Sequence, residues 1–122
     1  MAHILVIDDE PEVRYAIRAV LEDQGHDVSE ANTGTEGLDT LSRESFDLVI
    51  CDIIMPDKEG IETIVEIRDS LPDQKIVAMS GGGRIKKEDY LAVAAAVGAT
   101  HTISKPFDAE TLTDMVSAIL RG

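Results

Sequence analysis

Ile4-Leu5-Val6-Ile7-Asp8-Asp9 opens the chain with four aliphatic residues that run without a break into two carboxylates. A strand with one face in water alternates apolar and polar residues. An unbroken apolar run of strand length belongs instead to a strand covered on both faces, as in a parallel sheet. The same signature recurs at Leu48-Val49-Ile50-Cys51, followed by Asp52, and at Ile76-Val77-Ala78-Met79, followed by Ser80. Two further candidates, Asp27-Val28-Ser29-Glu30-Ala31 and His101-Thr102-Ile103, are more polar and read as edge strands. In chain order these are the second and the fifth.

Helical patterns fill the intervals. Val13, Ile17, Val20 and Leu21 form one apolar stripe, ended by Gly25 as a C-terminal cap. Leu38 and Leu41 mark a weaker second helix, and Ile61, Ile64, Val65 and Ile67 a third, stopped by Pro72. An Ala-rich stretch, 86–97, reads as a fourth, ended by Gly98. Asp108 is placed to cap the last, whose stripe is Leu112, Met115, Val116, Ile119 and Leu120. Strict alternation of strand and helix predicts an α/β fold, a doubly wound five-stranded parallel sheet with five helices. With strands two and five at the edges, the order is 2-1-3-4-5, the flavodoxin-like arrangement.

With 122 residues, 43% of them hydrophobic, one domain spanning 1–122 can bury a core without disulfides. With two Phe, two Tyr and no Trp, that core is aliphatic, and base-stacking modes of nucleic-acid binding are disfavoured. Twenty-four acids against eleven bases give a net charge of −13, which repels both a phosphate backbone and an anionic membrane. No direct nucleic-acid contact and no membrane insertion are therefore expected. The single Cys51 excludes an internal disulfide, and His3, His26 and His101 share no metal-ligand spacing. The apolar run before Asp8 is too short for a signal-peptide core, so a cytoplasmic location is the expectation.

Ligands of such sheets bind at the carboxyl ends of the strands, near the switch point between strands one and three. There stand Asp8 and Asp9 on one side and Asp52 on the other. Unit charges about 4 Å apart repel by roughly 4 kcal/mol at an effective dielectric near 20, so three converging carboxylates call for a cation or protons. Oxygen-only donors in an incomplete shell suit Mg²⁺. Strand four ends in Ser80 followed by Gly81-Gly82-Gly83, with no Lys-Ser or Lys-Thr pair to make a nucleotide loop. Strand five ends in Lys105, placed to offset the acids and to hold an anion. A carboxylate that attacks phosphorus, a cation and lysine that neutralise the oxygens, and a hydroxyl that binds one of them make a phosphoryl-transfer set.

In these residues the whole chain resembles the receiver domain of two-component response regulators. The matching pieces are Asp8-Asp9-Glu10-Pro11, Asp52-Ile53-Ile54-Met55-Pro56 with Gly60, Ser80-Gly81, and Gly98-Ala99 leading to Lys105-Pro106-Phe107. The resemblance implies that Asp52 is the phosphoacceptor. It implies Mg²⁺, replaceable by Mn²⁺, on Asp9, Asp52 and the Ile54 backbone carbonyl, with Asp8 acting through a water. Ser80 and Lys105 would contact the phosphoryl oxygens, across a cis Lys105–Pro106 bond. The implied donor is a sensor histidine kinase or a histidine phosphotransfer protein, and small donors such as acetyl phosphate also serve. The implied output is changed contact with a downstream protein, through a surface that includes Arg84, Lys86, Lys87, Tyr90 and Thr102. The chain is then no enzyme beyond its own phosphorylation and dephosphorylation, and carries no output domain. Thr102 departs from the family, which has an aromatic residue three before the lysine.

Three rivals fit less well. A receiver fold acting without phosphorylation would be expected to have lost part of the set, and here all of it is present. An aspartate-nucleophile phosphohydrolase needs a second acid two residues past the nucleophile, where this chain has Ile54. A flavodoxin has a Ser, Thr and Gly-rich loop after its first strand, in place of Asp8-Asp9-Glu10-Pro11. Cys51, Met55 and Phe107 are assigned to packing, Tyr90 to a half-exposed helix position and His101 to a solvated edge.

Overall fold

Each of the five apolar runs forms a strand in the computed structural model, which describes residues 2–53, 60–80, 95 and 98–122. The strands are β1 (His3–Ile7), β2 (Asp27–Ala31), β3 (Leu48–Asp52), β4 (Ile76–Ser80) and β5 (His101–Ser104). They make one parallel sheet in the order β2-β1-β3-β4-β5, as the polarity of the two edge runs predicts. Every residue of β3 and β4 is buried, whereas β5 exposes His101 and Thr102. The described helices are α1 (Pro11–Asp23), α2 (Gly34–Arg43), α3 (Gly60–Ser70) and a C-terminal helix (Ala109–Arg121). The expected fourth helix, 86–97, lies outside the described residues except for Ala95, which is helical. Among the described residues no helix is long and apolar enough to cross a membrane.

Alternation along each strand sends its residues to two separate cores. Ile4, Val6, Leu48, Ile50, Val77 and Met79 pack with Ile17 and Leu21 of α1 and with Leu112, Val116 and Ile119 of the C-terminal helix. Leu5, Ile7, Val49, Cys51, Ile76 and Ala78 pack with Ile64 and Ile67 of α3 and with Leu38 and Leu41 of α2. Cys51 therefore points away from the face of its neighbour Asp52, as expected of a packing residue.

The helix ends follow from local chemistry. Gly25 adopts φ +89°, its N–H donates to Glu22, and the His26 N–H donates to Leu21, which closes α1 with a left-handed turn. The Asp108 side chain accepts the Thr111 N–H at 2.8 Å and caps the C-terminal helix, as its position predicts. One assignment is corrected. Val65 is exposed, and Thr63 takes a buried place beside Ile64 and Ile67. The buried side of α3 runs through Gly60, Thr63, Ile64 and Ile67 at helical spacing, and Val65 lies off it.

The register brings four strand ends together. Ile7 lies opposite both Ala31 and Cys51, Asp52 opposite Met79, and Ser80 opposite Ser104. Asp8, Asp52, Ser80 and Lys105 thus emerge at one rim of the sheet.

Candidate functional site

Asp8 is fully buried immediately past β1, and all its polar groups are engaged. Its N–H donates to the Ala31 carbonyl at 3.1 Å, and its own carbonyl accepts from Arg14 Nη1 at 2.7 Å. Oδ1 accepts the Glu10 N–H at 2.9 Å, which folds the acidic segment into a turn ahead of α1. Oδ2 accepts from Lys105 Nζ, also at 2.9 Å, across 97 residues of chain.

Asp52 is the last residue of β3 and only 5% exposed. Its Oδ2 lies 3.6 Å from Lys105 Nζ, and Glu10 Oε1 lies at the same distance from that ammonium. Gly60 packs directly on the end of β3, because a Cβ there would fall on the Asp52 carbonyl oxygen and the Ile53 Cα. Lys105 is held at its base by its own N–H, which donates to the Ser80 carbonyl at 2.6 Å, and the Lys105–Pro106 bond is cis, as the family resemblance implies. Burial alone would lower the Lys105 ammonium. The hydrogen bond to Asp8 and the charges of Asp52, Asp8 and Glu10 outweigh it and hold the group above its ordinary value. Burial, followed by the charges of Asp52 and Asp8, pushes the Cys51 thiol far up, so it is inert at neutral pH.

Asp8, Asp9, Glu10 and Asp52 each offer a carboxylate oxygen, all within 4.8 Å of one another. Four hard oxygen donors beside the Lys105 ammonium fit a divalent ion such as Mg²⁺, with open positions left for water. Ser80 is fully buried, and its Oγ has no hydrogen-bond partner among the described residues. A buried hydroxyl without a partner costs about 1–3 kcal/mol, a cost that an incoming oxygen acceptor would relieve.

Asp8, Asp9, Asp52 and Lys105 therefore come together as the sequence predicts. The Ile54 carbonyl, assigned to the metal, lies outside the described residues, as do Gly81-Gly82-Gly83, Arg84, Lys86, Lys87 and Tyr90. Two participants are new. Glu10 joins the acids, and the run of three acids before Pro11 is the signal by which it could have been found. Arg14 binds the Asp8 carbonyl, and nothing in the pattern of α1 marks it.

A family model described as "Response regulator receiver domain" matches residues 4–117. Protein PilH of Pseudomonas aeruginosa is 31% identical over 122 residues, covering 100% of both chains. A "Transcriptional regulatory protein CpxR homolog" of Haemophilus influenzae is 36% identical over 99% of this chain and 51% of its own. The chain spans about half the length of several curated relatives it matches. Among solved structures, a response regulator receiver domain protein from Clostridium thermocellum superposes with a TM-score of 0.90. It is 32% identical, with 99% of this chain and 95% of the other covered.

Proposed function

This chain belongs to the response regulator receiver domain family, and from that premise we propose that Asp52 is the phosphoacceptor of a two-component phosphorelay. The observation that carries the reading is the meeting of strand ends at one ammonium. Lys105 Nζ stands 2.9 Å from Asp8 and 3.6 Å from Asp52. Ser80, whose Oγ lacks a partner among the described residues, ends the neighbouring strand.

An Asp52 carboxylate oxygen attacks the phosphorus of a phosphohistidine on a sensor kinase or phosphotransfer protein. The P–N bond breaks, its electron pair leaves on the imidazole nitrogen, and that nitrogen takes a proton from solvent. Lys105 donates to a phosphoryl oxygen, and the Ser80 hydroxyl donates to another. Asp9, Asp52 and the Ile54 backbone carbonyl would hold Mg²⁺ or Mn²⁺, with Asp8 acting through a water and Glu10 beside them. When bound, that ion supplies positive charge to the phosphoryl oxygens. Dephosphorylation is a separate hydrolysis: a water oxygen attacks phosphorus, the bond from phosphorus to the Asp52 oxygen breaks, the water gives up a proton to solvent, and inorganic phosphate leaves with the carboxylate restored.

The phosphorylated chain signals through a changed protein contact. Arg84, Lys86 and Lys87 form a basic cluster in a very acidic sequence and suit an acidic partner. The deciding experiment is intact mass after incubation with acetyl phosphate and Mg²⁺. The wild-type chain gains one phosphoryl group, labile to hydroxylamine, and Asp52→Asn gains none. A chelator abolishes the gain. A hydroxylamine-stable adduct, or one that persists in Asp52→Asn, would refute the assignment.

A further inference from the structure

Arg14 crosses from α1 to the ends of β1 and β2 and makes three bonds there. Nη1 donates to the Asp8 carbonyl at 2.7 Å and to Asn32 Oδ1 at 3.1 Å, while Nε donates to Glu30 Oε1 at 2.9 Å. Its side chain is 13% exposed and that of Glu30 17%, so the pair is largely withdrawn from water. The other Glu30 oxygen accepts from Arg18 Nη1 at 2.9 Å, and Arg18 also binds Glu22.

The Asp8 carbonyl and the Asp9 N–H share one rigid peptide plane. A donor that pins the carbonyl therefore sets the direction in which the Asp9 carboxylate leaves the turn. Asp8 is the residue whose own side chain binds both Lys105 and the Glu10 N–H, so the three acids share one anchor. We propose that Arg14, held by Glu30, is the positioning residue of the turn Asp8-Asp9-Glu10 and thereby sets its affinity for a divalent cation. This rests on the cation site described above. Glu30 has a second part in it: it offsets a guanidinium charge that would otherwise face the incoming cation. Lysine cannot replace Arg14 fully, because a compact ammonium cannot span three acceptors as the planar fork does.

The test is calorimetric titration with Mg²⁺ of the wild-type chain and of Arg14→Met, Arg14→Lys, Glu30→Gln and Arg18→Ala. Groups that orient metal ligands typically contribute about 10- to 100-fold in affinity. Arg14→Met should weaken binding by about that much, with Arg14→Lys and Glu30→Gln in between. Arg18→Ala removes the other guanidinium bound to Glu30 without touching Asp8, and should bind as wild type does. Saturating Mg²⁺ should restore acetyl phosphate-dependent phosphorylation of Arg14→Met, since acceptor and lysine are intact. A purely structural role for Arg14 would lower the number of binding-competent molecules and leave their affinity unchanged, and that result would overturn the proposal. Equal weakening by Arg18→Ala would overturn it too. A wild-type chain that bound no Mg²⁺ would remove the cation site itself, and with it this inference.

Discussion

Replacing Lys105 with methionine keeps the stem of the side chain and removes an ammonium that faces Asp8, Glu10 and Asp52. At an effective dielectric of roughly 20, unit charges separated by the Lys105–Asp8 and Lys105–Asp52 distances attract by about 6 and about 5 kcal/mol. Most of that gross attraction is cancelled by the cost of taking the charges out of water, since the lysine side chain is only 16% exposed and Asp8 not at all. Removing one partner from such a buried pair costs about 3–5 kcal/mol, because the other is left uncompensated. A ceiling exists: a stranded carboxylate can take up a proton, which at pH 7 costs an ordinary aspartate about 4 kcal/mol. The expected loss in a chelator at pH 7 is therefore about 3 kcal/mol, or about 10 °C in Tm for a chain of this size. Urea unfolding followed by circular dichroism measures it. Because a bound cation replaces the missing charge, millimolar Mg²⁺ should recover much of the loss, by linkage to a ligand that binds only the folded state. A variant within about 0.5 kcal/mol of wild type in the chelator would refute the reasoning, since it would mean that the ammonium compensates no buried charge.

Gly60→Ala should destabilise the chain by about 2 kcal/mol and slow phosphorylation, since its Cβ would push on the Asp52 backbone. Helix propensity alone would stabilise that variant by about 1 kcal/mol, so the sign of its unfolding midpoint shift decides. Asp108 accepts backbone and side-chain hydrogen bonds from Thr111, which hold its carboxyl below the ordinary range. A folded pKa below the unfolded one gives stability that is present above the unfolded value and lost as pH falls through the folded value. Asn caps at every pH, so Asp108→Asn should gain on wild type only in acid, read from unfolding midpoints at stepped pH. Ile54, two residues past Asp52, is bulky and has no polar side-chain group to orient water. Ile54→Asn should therefore shorten the lifetime of the phosphorylated chain severalfold, as followed by loss of the phosphorylated mass.

The sheet order was legible because burial on both faces leaves a mark that local reading detects: β1, β3 and β4 are unbroken aliphatic runs, while β2 and β5 carry Glu30, His101 and Thr102. Once the order is known, chain connectivity alone puts Asp8, Asp52, Ser80 and Lys105 at one rim, so the core of the site could be read as well. The Gly25 and Asp108 caps were equally legible, since each acts within a few residues of itself.

Tertiary structure alone decided the rest. Val65 and Thr63 differ by two residues on one helix, and which of them faces the sheet depends on the rotation of α3 set by Gly60 packing on Asp52. Arg14 could have lain along its own helix, as Arg18 does with Glu22, yet it turns to Glu30 and the Asp8 carbonyl. Lys105 lies closer to Asp8 than to Asp52. Hydrophobic periodicity records which face of an element is buried. Long polar side chains with several rotatable bonds choose among partners distant in sequence, and only the assembled fold presents those partners.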